Sequence, residues 1–163
     1  MSPACRRIVS LPLLLAVVLL ASGSPPRTPI ANAQNAGGEK KADKPLYVEY
    51  KGVRIGMDTS EVRKKLGDPA DKGDVQDFFV FSDSESAQVY YDKGRKVMAL
   101  SVNYVGEKSG APLPMLVLGT NIVAKADGAM HKMVRYPVAG YWISYNRTGG
   151  DDPLITVTMQ KIQ

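Results

Sequence analysis

Three short apolar segments, separated by turn-forming residues, constrain the fold of this chain more than any other feature of its sequence. They cover residues 77–81, 87–91 and 97–105. The last of them alternates between large apolar residues and small or polar ones, which is typical of a strand with one buried face. Asp-Lys-Gly at residues 92–94 is typical of a tight hairpin turn. The pattern predicts an antiparallel meander.

The second half of the chain repeats this layout in a weaker form. Its three strand-like segments are residues 130–136, 141–145 and 154–159. A short apolar run at residues 113–118 precedes them and ends in Leu-Gly. Pro112 and Pro114 leave open whether this run is a helix or extended. A further hairpin is expected around Asp127 and Gly128.

One helix has clear start and stop signals. Asp58 stands where a carboxylate can accept the first free N–H groups, and Glu61 follows three residues later as in a capping box. Gly67 and Pro69 end the segment. We expect a helix of about eight residues, which must pack on something larger because so short a helix does not persist in water.

These elements predict an α+β fold built from two related helix-plus-antiparallel-meander repeats. Together the repeats would form one curved sheet backed by short helices. Repeat one would cover residues 46–105 and repeat two residues 113–163, joined by a linker at 106–112. Both repeats would belong to a single mature domain, residues 46–163.

Residues 53–69 carry a resemblance to a known family. They read Val-Arg-Ile-Gly-Met-Asp-Thr-Ser-Glu-Val and, further on, Leu-Gly-Asp-Pro. This resembles the opening of the SmpA/OmlA family, which contains an outer-membrane assembly lipoprotein. The doubled layout is similar to that of the β-lactamase inhibitor protein, which shares that fold. The resemblance implies a helix-plus-sheet fold and a role in the cell envelope, although the lipid-anchoring cysteine of the lipoproteins is missing.

Composition excludes several kinds of chemistry. Cys5 is the only cysteine and His131 the only histidine. A disulfide framework, a Cys/His zinc site and a cysteine nucleophile in the mature chain are therefore excluded. Much of the net charge of +5 comes from three arginines in residues 1–33, a stretch with no acidic residue. The near-neutral remainder gives no reason to expect nucleic acid as a partner, and we expect no cofactor.

The N-terminus has the pattern of a secretory signal peptide. Two arginines precede an apolar run at residues 8–21, which is too short to span a bilayer as a helix. We expect cleavage after Ala33, or alternatively after Gly23. Residues 34–45 would be a flexible lead-in. The sequence thus predicts a soluble exported protein, periplasmic or extracellular, with no stable membrane anchor after cleavage.

Two sets of polar residues are candidates for metal binding or catalysis. Four aspartates, at positions 68, 71, 74 and 77, could bind a hard cation, but their spacing does not match a calcium loop. His131 could act as a general base, but no nucleophile motif accompanies it. We expect neither a metal site nor a catalytic residue.

Strand alternation points instead to a partner-binding surface. In residues 141–145 it leaves Trp142 on the more polar face, and in residues 87–91 it leaves Tyr90 there. Aromatic residues on a half-polar sheet face are common anchors of protein interfaces. The predicted partner-binding residues are Trp142, Tyr90, Ser144, Asn146 and Gln88. The function we expect is a non-catalytic protein-interaction module of the bacterial envelope. The alternatives are an envelope-assembly component without its lipid anchor and a small hydrolase using His131.

Overall fold

Strands dominate the part of the chain that the structure, a computed structural model, describes, namely residues 44–163. These residues fall within a compact unit, Gly38–Gln163. The two helices are α1 (Thr59–Leu66) and α2 (Pro114–Leu118). The strands are β1 (Asp71–Lys72), β2 (Gln76–Ser82), β3 (Glu85–Tyr91), β4 (Val97–Val105), β5 (Met130–Tyr136), β6 (Tyr141–Arg147) and β7 (Leu154–Lys161).

All seven strands form one antiparallel sheet in the order β1-β2-β3-β4-β7-β6-β5. The last strand, β7, lies between β4 and β6 rather than at an edge. Its residues 154–160 pair with residues 99–105 of β4 without interruption. This central pair joins the two halves of the chain into a single sheet.

One face of the sheet carries the core, as period-two alternation requires. Its buried side chains are Phe79, Ala87, Val89, Tyr91, Leu100, Val102, Tyr104, Tyr141, Ile143, Tyr145, Ile155, Val157 and Met159. Tyr50, Val53, Val62, Val117 and Leu118 belong to the same buried cluster. Residues 50–53, α1 and α2 therefore help to cover this face.

The predicted fold class is wrong. The helices hold only eight and five residues, and the protein is mainly β rather than α+β with two helix-plus-meander repeats. The physical reason is that the helices supply little of the cover: α1 buries Thr59 and Val62, and irregular segments complete the layer. The six strand segments predicted between residues 77 and 159, in contrast, all lie within observed strands.

The start of α1 differs from the capping scheme expected from the sequence. The helix has the expected eight residues, but the Asp58 carboxylate makes no hydrogen bond to it. Asp58 Oδ1 instead accepts from Lys96 Nζ at 3.0 Å, and the N–H of Thr59 donates to the Arg95 carbonyl at 3.0 Å. The β3–β4 hairpin thus satisfies the helix start that a side-chain cap was expected to satisfy.

Both helices end at glycines with positive φ. Gly119 after α2 is left-handed, with φ 71° and ψ 13°. Gly67 after α1 has φ 87° but ψ −162°, a region essentially restricted to glycine. Pro114 stands in the first turn of α2, where its missing N–H costs nothing, so the two prolines are compatible with a short helix.

A buried ion pair fixes α1 to the sheet. Asp77 is fully buried, and its carboxylate accepts from Arg63 Nε and Nη2, both at 2.8 Å. It also accepts from the Tyr91 hydroxyl at 2.7 Å and the Gly73 N–H at 3.2 Å. Burial alone would raise the pKa of Asp77, but these hydrogen bonds outweigh it and hold the pKa below its usual value.

Three further predictions concern the segment before α1, the turn at Asp127 and Gly128, and the N-terminal leader. The β-favouring residues 46–55 predict a short strand or extended segment, but the structure has only an isolated bridge between Tyr50 and Val53 there. The expected extra hairpin around Asp127 and Gly128 is a turn, in which the Lys125 N–H donates to the Ala129 carbonyl at 2.9 Å. No strand lies between α2 and β5 to form the first arm of a hairpin. The predicted signal peptide lies outside the described residues. Across residues 44–163, no helix is long and apolar enough to cross a membrane.

Candidate functional site

The face of the sheet opposite the core is the candidate site, and we call it the open face. Across β2–β7 its side chains are half-buried or exposed, apart from the buried Ala99. Strand pairing arranges it in three rows, each read from β2 through β3, β4, β7 and β6 to β5. The rows are Gln76, Tyr90, Ala99, Gln160, Trp142, Arg135; then Phe78, Gln88, Ser101, Thr158, Ser144, Met133; then Val80, Ser86, Asn103, Thr156, Asn146, His131.

The structure places all five predicted partner-binding residues on the open face. Tyr90 and Trp142 share the first row, with Ala99 and Gln160 between them. At about 4.8 Å per strand, their backbones are roughly 14 Å apart. Both side chains are half-buried rather than fully exposed. The other predicted residues, Gln88, Ser144 and Asn146, occupy the second and third rows.

Side-chain hydrogen bonds tie neighbouring strands together across this face. Ser101 Oγ and Thr158 Oγ1 are 3.0 Å apart, across the central β4–β7 pair. In the next row, Thr156 Oγ1 donates to Asn103 Oδ1 at 2.9 Å. Such cross-strand pairs hold short polar side chains in fixed positions. The middle of the open face is therefore an ordered surface of hydroxyl and amide groups.

Apolar side chains flank this polar middle on both sides. Val80 on β2 is 56% exposed and Met133 on β5 is 48% exposed. Phe78 lies beside Val80 in the adjacent row. Sequence reasoning missed these residues, although the alternation of β2 and β5 separates their faces. What it lacked was the strand order, which brings both outer strands onto one surface with Tyr90 and Trp142.

The open face has an unusual charge pattern. None of its residues in β2–β7 is Asp, Glu or Lys, and Arg135 is its only arginine there. The acidic residue nearest in β3, Glu85, turns toward the covered side. There its carboxylate accepts from the Tyr50 hydroxyl at 2.8 Å and pairs with Lys51 Nζ at 3.4 Å.

His131 lies on β5 at one edge of the sheet, whereas Asp71 and Asp77 lie on β1 and β2 at the other. His131 is exposed at the end of a row, opposite Asn146, and within residues 44–163 no hydrogen bond joins it to a serine. Among the aspartates, Asp77 is paired with Arg63 while the exposed Asp74 pairs with Arg95 at 3.3 Å. Within residues 44–163, no group of three or more His, Cys, Asp or Glu side chains could hold a metal ion.

A shallow depression beside Arg147 is also accounted for by internal contacts. Glu107, Asp127 and Asp151 line it. The Arg147 guanidinium donates to the Gly128 carbonyl at 2.6 Å and forms an ion pair with Glu107. Its guanidinium thus joins the loops that contain Glu107 and Gly128.

The fold and the site define a mainly β protein with one face of its sheet covered and the other open. No family model matches the chain, and no curated protein matches it. A similar solved structure is that of a DUF4309 family protein (YjgB) from Bacillus subtilis, with 13% identity and a TM-score of 0.47. The match covers 69% of this chain and 84% of that one. A likeness this slight carries no argument about function.

Proposed function

We propose that this protein is an exported, non-catalytic interaction module of the bacterial cell envelope that binds a protein partner through its open face. Trp142 and Tyr90 are its anchors, and Gln88, Ser144 and Asn146 supply hydrogen bonds around them. Phe78 and Met133 extend the contact toward the outer strands. No residue of the chain takes part in a reaction.

The observation that carries the proposal is the composition of the open face. Protein interfaces are depleted in Lys, Glu and Asp and enriched in Tyr, Trp, Phe, Met and Arg. The open face lacks all three depleted types and contains each of the enriched ones. A covering partner would therefore have few charges to desolvate. Serine and alanine are exceptions, since both types are depleted in interfaces and the open face contains Ser86, Ser101, Ser144 and Ala99.

Export rests on the leader alone. Basic, apolar and small residues follow one another in residues 1–33 as in a secretory signal peptide. We expect the mature protein from a bacterial expression host to begin at Gln34, or at Ser24 if the alternative site is used. Mass spectrometry of the N-terminus measures this directly. An intact Met1 in the membrane fraction would contradict export with cleavage.

The binding proposal is tested with paired bait variants. The wild-type chain, Trp142→Ala and Tyr90→Ala are each immobilised and exposed to envelope extract. We expect a partner retained by the wild type to be lost from both variants. With the purified partner, truncating a central anchor should weaken binding by about 2 kcal/mol, or roughly thirtyfold.

The matched control lies on the other side of the molecule. Leu116 on α2 is 64% exposed and does not belong to the open face. Leu116→Ala should keep the partner at wild-type affinity. If Leu116→Ala lost the partner while Trp142→Ala and Tyr90→Ala kept it, binding would be through the covered side and the proposal would be wrong.

A further inference from the structure

Three leucines are exposed along one side of α2. Leu113 precedes the helix, Leu116 follows one turn later, and Leu46 lies beside its end, where a Cβ built at Gly119 would be 3.4 Å from Leu46 Cδ1. The three leucines are between 61% and 67% exposed. Residues three apart lie on one side of a helix, so positions 113, 116 and 119 are aligned. We call Leu113, Leu116 and Leu46 the leucine ridge.

The leucine ridge faces away from the sheet. Val117 and Leu118, on the other side of α2, are buried in the core, and the helix packs on β6. Exposed apolar residues that are scattered singly are ordinary, whereas a contiguous group marks a surface that binds something. The core does not use the side chains of the ridge, so their burial against another apolar surface is still favourable.

The charge around the leucine ridge is positive. Lys108 and Lys125 are exposed, and residues 109–124 between them contain no aspartate or glutamate. Lys44, also exposed, comes two residues before Leu46. Leucines flanked by lysines suit an anionic lipid bilayer, which has apolar chains beneath negatively charged headgroups.

The acidic residues nearest to these lysines do not cancel that charge. Glu107 and Asp127, which lie just outside residues 108–125, both line the depression beside Arg147, and Glu107 is ion-paired with that arginine. Glu49, three residues after Leu46, is exposed. Three lysines therefore face one exposed carboxylate that has no place in the Arg147 depression, and the surroundings of the ridge attract anions.

We propose that the leucine ridge inserts into the surface of an anionic lipid bilayer and holds the protein reversibly on a membrane. The leucines enter the boundary between headgroups and acyl chains, and the three lysines lie against the headgroups. The open face is on the other side of the sheet, so it stays accessible to a protein partner while the ridge is in the membrane.

A second copy of this chain is a poorer occupant of the ridge. A stable protein interface buries roughly 800 Å² on each side, more than three side chains beside a five-residue helix provide. Two copies meeting at the ridge would also bring their lysines together. A bilayer avoids both difficulties, because inserted side chains and lysines contribute to membrane binding without a large matched surface.

This inference goes beyond the proposed function, because it concerns lipid and the covered side of the molecule. Each stands if the other fails. The test uses the chain from Gln34, which contains the whole compact unit Gly38–Gln163 and lacks the apolar leader. The protein is sedimented with vesicles of phosphatidylcholine alone, or of phosphatidylcholine and phosphatidylglycerol in equal parts, over a range of lipid concentrations.

We expect the chain to bind the anionic vesicles at least about tenfold more tightly than the neutral ones, and to lose this preference at high salt. Leu113→Ser and Leu116→Ser should each weaken binding about tenfold, since each removes apolar surface that the bilayer buries. Val75→Ser is the matched control. Val75 is 69% exposed but precedes β2, toward the other edge of the sheet, so its replacement should leave vesicle binding unchanged.

A second pair of variants tests the contribution of charge. Lys125→Gln should weaken binding to the anionic vesicles about fivefold. Lys93→Gln, the same change at the exposed tip of the β3–β4 hairpin, should not. Trp142→Ala should bind vesicles as the wild type does, because Trp142 lies on the open face.

Four results would each overturn the inference. They are no sedimentation with either kind of vesicle, equal binding to both kinds, loss of binding in Trp142→Ala but not in Leu116→Ser, and self-association that depends on Leu116 in place of vesicle binding. Circular dichroism checks that every variant is folded, which is expected because each replaced leucine is largely exposed.

Discussion

Trp142 illustrates how far a single side chain can be located from alternation. Its neighbours Tyr141 and Ile143 are buried, as the alternation predicts, and Trp142 lies on the opposite face. Its flanking strands, β5 and β7, leave Trp142 half-buried. The sequence alone did not identify these strands as its neighbours.

We therefore expect Trp142→Ala to destabilise the fold by clearly less than the roughly 3–5 kcal/mol typical of a core aromatic truncation. Chemical denaturation measures this cost. Because Trp142 is the only tryptophan, its fluorescence reports on one site, and we expect acrylamide quenching between that of a buried and that of a free indole. Emission that acrylamide does not quench would place Trp142 in the core.

Asp77 shows how burial and hydrogen bonding compete at one residue. Because its native pKa is lowered, its contribution to stability is present above the unfolded pKa of about 3.9 and is lost as pH falls through the native pKa. We expect Asp77→Asn to cost about 3 kcal/mol at neutral pH, since it weakens a buried ion pair.

The cost of Asp77→Asn should shrink as the pH falls below about 4, because the unfolded wild type then takes up a proton that the native state, with its lowered pKa, binds only at lower pH. Urea denaturation over a pH series measures both values. Asp74, whose side chain is 94% exposed, supplies the control. Asp74→Asn should leave the free energy of unfolding nearly unchanged at every pH, and a constant cost for Asp77→Asn down to pH 2 would contradict the ion-pair explanation.

At the scale of elements, the glycine that ends α1 allows two effects of an added side chain to be distinguished, namely backbone strain and crowding. A Cβ added at Gly67 would meet no atom within 4 Å, so space alone predicts that alanine is tolerated. Its φ of 87° with ψ of −162° predicts the opposite, because side chains are strained there.

We expect Gly67→Ala to reduce the free energy of unfolding by about 1–3 kcal/mol. Gly94→Ala is the control, since Gly94 has no positive φ although a Cβ there would lie 3.2 Å from Asp92 Oδ1. Denaturation midpoints compare the two. A larger loss for Gly94→Ala than for Gly67→Ala would show that crowding, not strain, decides.

The elements also show why sequence reasoning succeeded in part. Strand positions were predictable because alternation and turn residues are local signals, and α1 has the expected length of eight residues. Asp58 is the N-cap residue, as expected, but its carboxylate does not cap the helix, because it pairs with Lys96, which only the fold brings near. The fold class was wrong because one well-signalled short helix and a second possible helix at residues 113–118 were counted as a full layer, whereas irregular segments share in covering the sheet.

For the whole molecule, strand order was beyond sequence reasoning. The β4–β7 pair joins residues such as Leu100 and Met159, and no local pattern specifies such a distant pairing. The open face follows from that order, so its residues on β2 and β5 could not be placed beside Trp142 in advance. Alternation could find which side of each strand is polar, but not which strands lie together.

The continuous sheet predicts that both halves unfold together. We expect Trp142 fluorescence, which reports on β6, and amide NMR signals of β3 to give one common denaturation midpoint. Met159→Ala, in the fully buried centre of β7, should cost about 2–5 kcal/mol and shift both probes equally. Two separate midpoints would mean that the halves are independent domains.

The central position of β7 also sets the order in which the molecule can be made. During synthesis, β7 is the last of the seven described strands to be made, after both of its neighbours, β4 and β6. Until β7 has left the ribosome, β4 and β6 each have an unpaired edge, so the sheet is incomplete. If the protein is exported as proposed, this late completion of the sheet keeps the chain unfolded for a translocation channel that accepts only unfolded polypeptides.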